Sequence, residues 1–425
     1  MEVSVWQRAI SLVGLLSMVG IAWLLSNHRE RVSWRIVGWG VGLQLTFGVL
    51  VMKTEAGLWV FSVLNDVVLA LLGFTAKGTE FIFGDFASEE FTIAINVLPT
   101  LIFFSALMAM LYHLGLMQRL VSGFAWIMRR AMKTSGSETL ATAANTFVGQ
   151  TEAPLMVAPF IKGMTSSELM ALMTGGFATV AGGVLAAYVG LLDKVVPNIA
   201  GHLIAASVMS APAALVIAKL MWPETEESET AGEAEIRVEQ PDVNLLDAAA
   251  RGATEGMKLA LNVGAMLIAF IALIALANAV IGLPFGLYNE WMGFEGASAV
   301  EPLTMQRILG WIFWPFAFLI GVPAAECSAV ATLLGEKLVL TEFIAYLHLY
   351  ESLSADVAVL SPRTVVIASY ALCGFANFGS IGIQLGGIGG IAPERRHDIA
   401  RLGVRAMFGG MLASLMTASV AGMLY

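Results

Sequence analysis

The sequence is poor in charged residues, in cysteine and in enzyme motifs, and each of these shortages excludes a class of protein. Asp, Glu, Lys and Arg make up only 13% of the 425 residues, while 58% are hydrophobic. Soluble domains carry roughly 25% charged residues. Together with a mean hydropathy of +0.79, this composition excludes an ordinary soluble protein and predicts a polytopic membrane protein.

Several chemical classes are also excluded by missing motifs. The two cysteines, Cys327 and Cys373, lie in apolar stretches, which favours packing roles over a disulfide framework. No zinc-ligand spacing, His-Glu-x-x-His or Gly-x-Gly-Asp pattern is present, which argues against an intramembrane enzyme. The Gly386–Gly390 tract lacks the Gly-Lys-Ser/Thr ending of a phosphate loop, so we expect a flexible turn. The first apolar run has no small-residue cleavage site before Arg29, which predicts a span and not a cleaved signal.

The net charge of −9 owes much to one connector. We expect this run to be a solvated cytoplasmic loop that says little about partners. Its acidic residues are Glu224, Glu226, Glu227, Glu229, Glu233, Glu235, Glu239 and Asp242.

Membrane spans are expected wherever about 20 predominantly apolar residues follow one another. Eight stretches qualify: 9–25, 36–52, 93–117, 168–191, 202–222, 258–282, 361–385 and 399–424. Residues 58–83, 118–133 and 283–312 are expected to form interfacial pieces. Residues 135–164 and 310–340 are apolar but broken by Gly, Pro and Glu, so we predict two re-entrant hairpins, whose irregular tips must be buried in protein.

Basic linkers give these spans a direction. Lys and Arg concentrate at 29–35, 119–133 and 395–405, and cytoplasmic loops carry the Lys/Arg excess. Eight spans with both termini outside place all three linkers in the cytoplasm. The two hairpins then enter from opposite sides, which predicts an inverted repeat. A local similarity supports this repeat, since Gly176-Phe-Ala-Thr-Val-Ala-Gly182 aligns with Gly374-Phe-Ala-Asn-Phe-Gly-Ser380.

Carboxylates within this apolar sequence are the first candidates for function. Charged residues at membrane depth are expensive and usually mark a substrate or ion pathway. Glu152 and Glu342 are expected to accept hydrogen bonds from a polar substrate such as a ribose diol. The alternative is a structural ion pair, for which Lys337 lies five residues before Glu342. Glu326 is a weaker candidate, and Glu336 is expected to be a loop charge.

Further polar residues surround the two acids. Gln150 and Thr151 offer donors and acceptors beside Glu152, which suits the edge of a heterocyclic base. Asn377 and Ser380 are three residues apart and would share one helix face. Asn145 and Thr179 suggest an alkali-cation site, because hard cations take oxygen ligands from hydroxyls, amides and carbonyls. The alternative for Asn145 is a helix cap.

Three motifs resemble the concentrative nucleoside transporters over about residues 90–425. Gly149-Gln-Thr-Glu-Ala-Pro154 resembles the tip of that family's first hairpin. Gly335-Glu-Lys-Leu-Val-Leu-Thr-Glu-Phe-Ile-Ala-Tyr346 is similar to its Gly-x-Lys-x-x-x-Asn-Glu-Phe-Val-Ala-Tyr signature, with Thr341 where the signature has Asn. Ala371–Gly382 matches a third element.

The resemblance implies an all-α membrane protein of the bacterial inner membrane with eight transmembrane helices, two oppositely oriented hairpins, and scaffold and transport domains. It implies a homotrimer that imports nucleosides with sodium by an elevator mechanism; coupling to protons is the alternative. No cofactor and no enzymatic activity are expected. The implied nucleoside site comprises Gln150, Thr151, Glu152 and Val184 at the base, and Glu342, Phe375, Asn377 and Ser380 at the ribose. The implied sodium ligands are the side chains of Asn145 and Thr179 and the carbonyls of Val148 and Val180.

The chain is accordingly divided into five parts. Residues 1–133 hold the N-terminal spans and interfacial helices, mostly scaffold, and 134–222 the first hairpin and spans of the transport domain. Residues 223–257 form the acidic loop and an interfacial helix, and 258–304 a scaffold span. Residues 305–425 hold the second hairpin and the second set of transport-domain spans.

Overall fold

The computed structural model describes residues 5–86, 92–231, 242–294, 300–354 and 360–425, and within these ranges the chain forms helices and no strand. The first five helices are α1 Val5–Leu24, α2 Trp34–Lys53, α3 Glu55–Phe83, α4 Leu98–His113 and α5 Leu116–Met132. The next five are α6 Gly136–Asn145, α7 Ala158–Ile161, α8 Ser166–Ala178, α9 Gly182–Leu192 and α10 Ile199–Met221. The last seven are α11 Leu245–Met292, α12 Met305–Leu319, α13 Cys327–Val339, α14 Glu342–Ser354, α15 Pro362–Leu372, α16 Phe378–Ile391 and α17 Arg396–Leu424.

Eight helical segments of the described chain are long and apolar enough to cross a membrane. The number agrees with the expectation. Helix α3 is one continuous helix of 29 residues whose length and hydropathy would also suit a span, so the interfacial placement of 58–83 stays a prediction. The expected spans 168–191 and 361–385 are each interrupted, the first forming α8 and α9 and the second α15 and α16.

The first hairpin lies where it was expected and the second does not. The first consists of α6 and α7, joined by an irregular tip and a 3₁₀ turn over Ala153–Val157. The second was predicted at 310–340 but is formed by α13 and α14, which meet at Leu340 and Thr341. The reason is a sharp break after α12, where Gly321 adopts the left-handed region at φ 98° and Pro323 follows. Residues 305–319 are therefore a separate helix.

Two further expectations are corrected by continuous helices. The short interfacial pieces predicted at 283–312 are replaced in part by α11, which runs to Met292 with Pro284 inside it. The Gly386–Gly390 tract lies inside α16 and not in a turn. Where little water competes for backbone groups, a helix keeps its own hydrogen bonds despite Gly and Pro.

Two interrupted helices face each other at the centre of the fold. The first interruption separates α8 from α9 at Thr179–Ala181, and the second separates α15 from α16 at Cys373–Asn377. They touch at Gly374, whose φ is 122°. A Cβ atom at Gly374 would lie only 2.8 Å from the Phe177 carbonyl oxygen, so this approach requires glycine.

A buried ion pair anchors the start of the first hairpin. Lys219, near the end of α10, places its Nζ 2.6 Å from Glu138 Oε2, and both side chains are buried. The same amine donates to Ser167 Oγ at 2.9 Å and to Glu224 Oε2 at 3.2 Å. The α6, α8 and α10 ends are therefore held together by one cation.

The beginning of the acidic connector belongs to this buried cluster. Glu168, the third residue of α8, receives hydrogen bonds from the hydroxyls of Ser137, Ser228 and Thr230. The interpretation of the whole run as solvated was therefore wrong for Glu224, Ser228 and Thr230, which pack onto the two helix starts, whereas Glu226, Glu227 and Glu229 are exposed as expected. Residues 232–241 of the predicted loop lie outside the described residues.

We expect Lys219→Met to destabilise the protein strongly. Breaking a buried ion pair leaves an uncompensated charge and costs about 3–5 kcal/mol. The double variant Lys219→Met/Glu138→Gln should recover part of this loss, because the amide is neutral and its oxygen can still accept from the Ser135 N–H. The measurement is the temperature at which detergent-solubilised protein ceases to be monodisperse.

The control is Lys162→Met, which removes an exposed partner of Glu394 and should change this temperature little. Equal behaviour of the Lys162 and Lys219 variants would contradict the prediction.

Candidate functional site

A cavity of about 130 Å³ lies where the two hairpin tips, the two interrupted helices and α11 meet. All eight residues expected to bind a nucleoside line it: Gln150, Thr151, Glu152, Val184, Glu342, Phe375, Asn377 and Ser380. Helix α11 closes one side with apolar residues, among them Val263 and Leu267. The cavity therefore has polar walls from both repeats and an apolar wall from a third element.

The first hairpin tip is built by a tight turn. After α6 ends at Asn145, the Glu152 N–H donates to the Gly149 carbonyl at 3.1 Å. The Gly182 N–H, at the start of α9, donates to the Phe147 carbonyl at 3.1 Å and ties the tip to the interrupted helix. The Glu152 side chain remains exposed to the cavity.

The second hairpin supplies Glu342, which is buried at the start of α14. Its Oε1 accepts from the Tyr188 hydroxyl and its Oε2 from Asn377 Nδ2, each at 2.8 Å. The Asn377 orientation is fixed because its Oδ1 accepts from the Ser380 N–H at 2.8 Å. Both oxygens of Glu342 therefore have a hydrogen-bond partner on another element. Thr341 lines the cavity beside it, and its hydroxyl accepts from the Ile344 N–H at 3.4 Å.

Lys337 does not pair with Glu342. Its fully buried Nζ donates instead to the carbonyls of Ala371, at 2.9 Å, and Cys373, at 3.4 Å, where α15 ends. No ion pair forms at Glu342 among the described residues. The alternative interpretation of Glu342 as half of a structural pair with Lys337 is therefore not supported, and the carboxylate borders the cavity.

Asn145 and Thr179 lie at the ends of two helices. Asn145, 1% exposed, donates from Nδ2 to the Ala141 carbonyl at 3.1 Å, and its Oδ1 has no partner in the described part of the chain. Thr179 opens the α8–α9 interruption. The last carbonyls of a helix lack intrahelical partners and carry the negative end of its dipole. A buried unpaired oxygen near two such ends fits a monovalent cation, and Val148 and Val180, three residues after Asn145 and one after Thr179, are buried as well.

Family models for this architecture match the chain in three consecutive pieces. The Na+ dependent nucleoside transporter N-terminus matches residues 13–86, a nucleoside recognition domain called Gate matches 94–195, and the Na+ dependent nucleoside transporter C-terminus matches 202–422. The chain belongs to the Na+ dependent nucleoside transporter family. It is therefore a transporter and not an enzyme.

Similar proteins occur in bacteria and animals. An uncharacterized transporter of Haemophilus influenzae and the uncharacterized transporter YutK of Bacillus subtilis are each 44% identical; both alignments cover 97% of this chain, and they cover 97% and 98% of the relatives. Solute carrier family 28 member 3 of rat is 42% identical over 98% of this chain, which spans 59% of the rat protein.

Solved structures of the transporter CNTnw share the fold. An inward-facing substrate-bound state superposes with a TM-score of 0.89 at 41% identity, covering 98% of both chains. An outward-facing state of a CNTnw variant also superposes with a TM-score of 0.89 at 41% identity, covering 98% of this chain and 97% of the CNTnw chain. The all-helical fold with its two hairpins is that of this transporter.

Sequence reasoning missed two buried residues that hold side chains of the cavity wall. Tyr188 is fully buried in α9, lies against Tyr346 with ring centroids 4.5 Å apart, and donates to Glu342. Gln384 is buried in α16, one turn beyond Ser380, and contacts Gln150. The i, i+4 spacing of Ser380 and Gln384 was a usable signal, whereas Tyr188 had none beyond its hydroxyl in an apolar helix.

Two secondary acids have structural partners. Glu326 Oε2 accepts from the N–H and the hydroxyl of Ser361, both at 3.0 Å, at the start of α15. Glu336, expected to be a loop charge, is instead buried in α13 and lies 2.8 Å from His348 Nδ1. A helical hairpin arm that packs inward leaves no loop at that position. Neither acid lines the cavity.

The two stacked tyrosines provide a matched test of the Glu342 environment. Tyr346 donates to the Ser369 carbonyl at 2.7 Å, whereas Tyr188 donates to a carboxylate. Bonds to charged groups contribute roughly 1.5–3 kcal/mol and neutral ones about 0.5–1.5 kcal/mol. We therefore expect Tyr188→Phe to lower the thermal stability in detergent more than Tyr346→Phe.

The greater loss of thermal stability in Tyr188→Phe should disappear in a Glu342→Gln background, where the acceptor of the Tyr188 hydrogen bond is neutral. Equal losses for the two single variants in the wild-type background would show that the Tyr188 bond has no charge-assisted character.

Proposed function

We propose that this transporter imports nucleosides together with sodium across the bacterial inner membrane, by elevator-type alternating access. The observation that carries the proposal is the cavity itself, which Glu342, a buried carboxylate with no cationic partner in the described part of the chain, lines together with the polar tip of the opposite hairpin. A ligand that fills it must offer hydroxyl or N–H donors at one end and a polar planar edge at the other. A nucleoside has both.

The ligand's orientation follows from the two walls. In the proposal, Glu342, Asn377 and Ser380 bind the ribose hydroxyls, because a carboxylate accepts strong hydrogen bonds from paired hydroxyls. Phe375 lines this end. Gln150, Thr151 and Glu152 bind the base edge, with Val184 packed on the ring. Each of these eight side chains belongs to a hairpin tip, to an interruption or to the helix half that follows one.

Sodium is proposed to bind between α6 and the α8–α9 interruption. The ligands would be the side-chain oxygens of Asn145 and Thr179 and the carbonyls of Val148 and Val180. Asn145 ends α6 only five residues before Gln150, so a cation there would order the tip that meets the base. Sodium would therefore bind first and raise the affinity for nucleoside.

The ion gradient supplies enough free energy for accumulation. One charge moved through 100 mV contributes about 2.3 kcal/mol, and a tenfold sodium gradient adds about 1.4 kcal/mol. Together these support an accumulation of roughly several hundredfold per sodium ion.

The domain division and the homotrimer are part of the same proposal. Helices α4 and α11 pack along each other and are assigned to the scaffold. The hairpins, the interrupted helices, α10 and α17 are assigned to the moving transport domain, which would slide as a rigid unit in each subunit of a trimer.

The first test is uptake of radiolabelled uridine into proteoliposomes, with an inward sodium gradient against matched choline, at two pH values. We expect accumulation that needs sodium and that Glu342→Gln reduces at least about tenfold, since the neutral amide accepts hydroxyl hydrogen bonds less strongly. Glu336→Gln is the control, because this buried glutamate lies in the same hairpin but outside the cavity. Uptake driven by a pH gradient without sodium would replace sodium by protons as the coupling ion.

The sodium site is tested by Asn145→Ala. Removing one ligand oxygen should raise the sodium concentration for half-maximal uridine binding at least about tenfold, a change of about 1.4 kcal/mol. At saturating sodium, uridine affinity should return to near the wild-type value. The control is Thr174→Val in α8, where a buried hydroxyl without a partner in the described residues is removed away from the proposed ligands. An unchanged sodium dependence in Asn145→Ala would remove Asn145 from the site.

A further inference from the structure

Gln384 joins the second repeat to the first hairpin tip. It is 1% exposed in α16, and a single nitrogen makes both of its hydrogen bonds. Gln384 Nε2 donates to Gln150 Oε1 at 3.0 Å and to the Met173 carbonyl at 3.1 Å. The side-chain oxygen of Gln384, Oε1, has no hydrogen-bond partner among the described residues.

The Met173 carbonyl fixes the orientation of two amides in succession. A backbone carbonyl only accepts hydrogen bonds, so the Gln384 atom that faces it must be the amide nitrogen. The same nitrogen faces Gln150, and a donor requires an acceptor opposite it, so Gln150 must present its oxygen to Gln384. If the Gln384 amide were turned by 180°, its oxygen would face the Met173 carbonyl oxygen, and two acceptors form no hydrogen bond with each other.

The Gln150 amide is therefore left with a defined polarity. Its oxygen is occupied by Gln384, and its nitrogen, which carries two N–H groups, remains for the cavity that Gln150 lines. A ligand atom at that position meets a donor. An exocyclic oxygen can accept from it, whereas an exocyclic amino group would place donor against donor.

We propose that Gln384 is a positioning residue that holds Gln150 as a hydrogen-bond donor, so that the site favours nucleobases with a keto group over those with an amino group at the same ring position. The inference rests on the proposed function, because it concerns the base of a bound nucleoside. Gln384 itself does not border the cavity; it acts through Gln150.

Affinities for two matched nucleoside pairs test the inference. Uridine and cytidine carry a keto and an amino group at one ring position, and the adjacent ring nitrogen bears a hydrogen only in uridine; inosine and adenosine differ in the same way at the corresponding purine position. Equilibrium binding to the full-length protein at saturating sodium gives the keto-to-amino affinity ratio. For the wild type we expect a ratio well above one in both pairs, and for Gln384→Leu, which frees Gln150 to turn, a decrease of about tenfold in that ratio.

Gln384→Glu should reverse the preference. A protonated glutamate at this buried position can donate its O–H to the Met173 carbonyl and accept from Gln150 Nε2 with the same oxygen. Gln150 would then turn its own oxygen to the cavity, and the ratio should fall below one. A side chain that only fills space would weaken both members of a pair equally and leave the ratio unchanged.

These measurements distinguish a failure of the Gln384 role from a failure of nucleoside binding. A wild-type ratio near one, or an unchanged ratio in both Gln384 variants, overturns the role of Gln384 while leaving nucleoside binding intact. Failure of the wild type to bind any of the four nucleosides overturns the proposed function as well. If Gln384→Glu does not fold, Gln384→Leu and the wild-type ratio still decide the question. In a Gln150→Ala background, neither Gln384→Leu nor Gln384→Glu should change the keto-to-amino affinity ratio.

Discussion

The cavity depends on the contact between two interrupted helices. A Cβ atom at Gly374 would lie only 2.8–2.9 Å from backbone atoms of Phe177 and Ala178. Its φ of 122° is also one that residues other than glycine rarely adopt. This contact brings the two interruptions together, and each interruption exposes backbone groups. The hairpin tips complete the same small volume. If the helices were continuous, no polar backbone would be available here and the tips would meet an apolar surface.

Irregular backbone at membrane depth is tolerated only where protein satisfies it, and the structure does this through buried side chains from distant segments. Lys337 donates to the carbonyls at the end of α15, Glu168 accepts from the Thr165 N–H at the start of α8, and Asn377 accepts from the Ser380 N–H at the start of α16. These contacts make the two hairpins and the interrupted helices one packed unit. Helix α11, by contrast, contributes only apolar side chains to the cavity.

The sequence predicted the hairpin acids and the broken segments because an acid or an amide stands out in an apolar run. It could not predict their partners, which come from far along the chain: Gln150 and Gln384 are 234 positions apart, and Tyr188 and Glu342 are 154 apart. Sequence proximity was misleading for Lys337 and Glu342, because they lie on the two arms of a hairpin that turns at Leu340 and sends their side chains to different neighbours.

Boundaries failed for a related reason. The second hairpin was expected too early because the break at Gly321 and Pro323 was placed within the hairpin, whereas in the structure it precedes the first hairpin arm. Helix α3 was predicted to be interfacial from its amphipathic pattern, and three of its polar residues, Asn65, Thr75 and Thr79, are buried within the protein. A polar residue that packs inward and one that faces a membrane surface look alike in sequence.

The buried amine of Lys337 makes the duplicated halves chemically unequal. At the end of α15, the backbone oxygens accept hydrogen bonds from Lys337. Because this donor is part of the chain, its local concentration never changes. At the end of α6, the Asn145 oxygen has no such donor in the described residues. If sodium binds at Asn145 as proposed, the first half would respond to the salt on either side of the bilayer, whereas the second half, which carries its own amine, would not. Lys337 would then make one of two similar halves a fixed reference for the other.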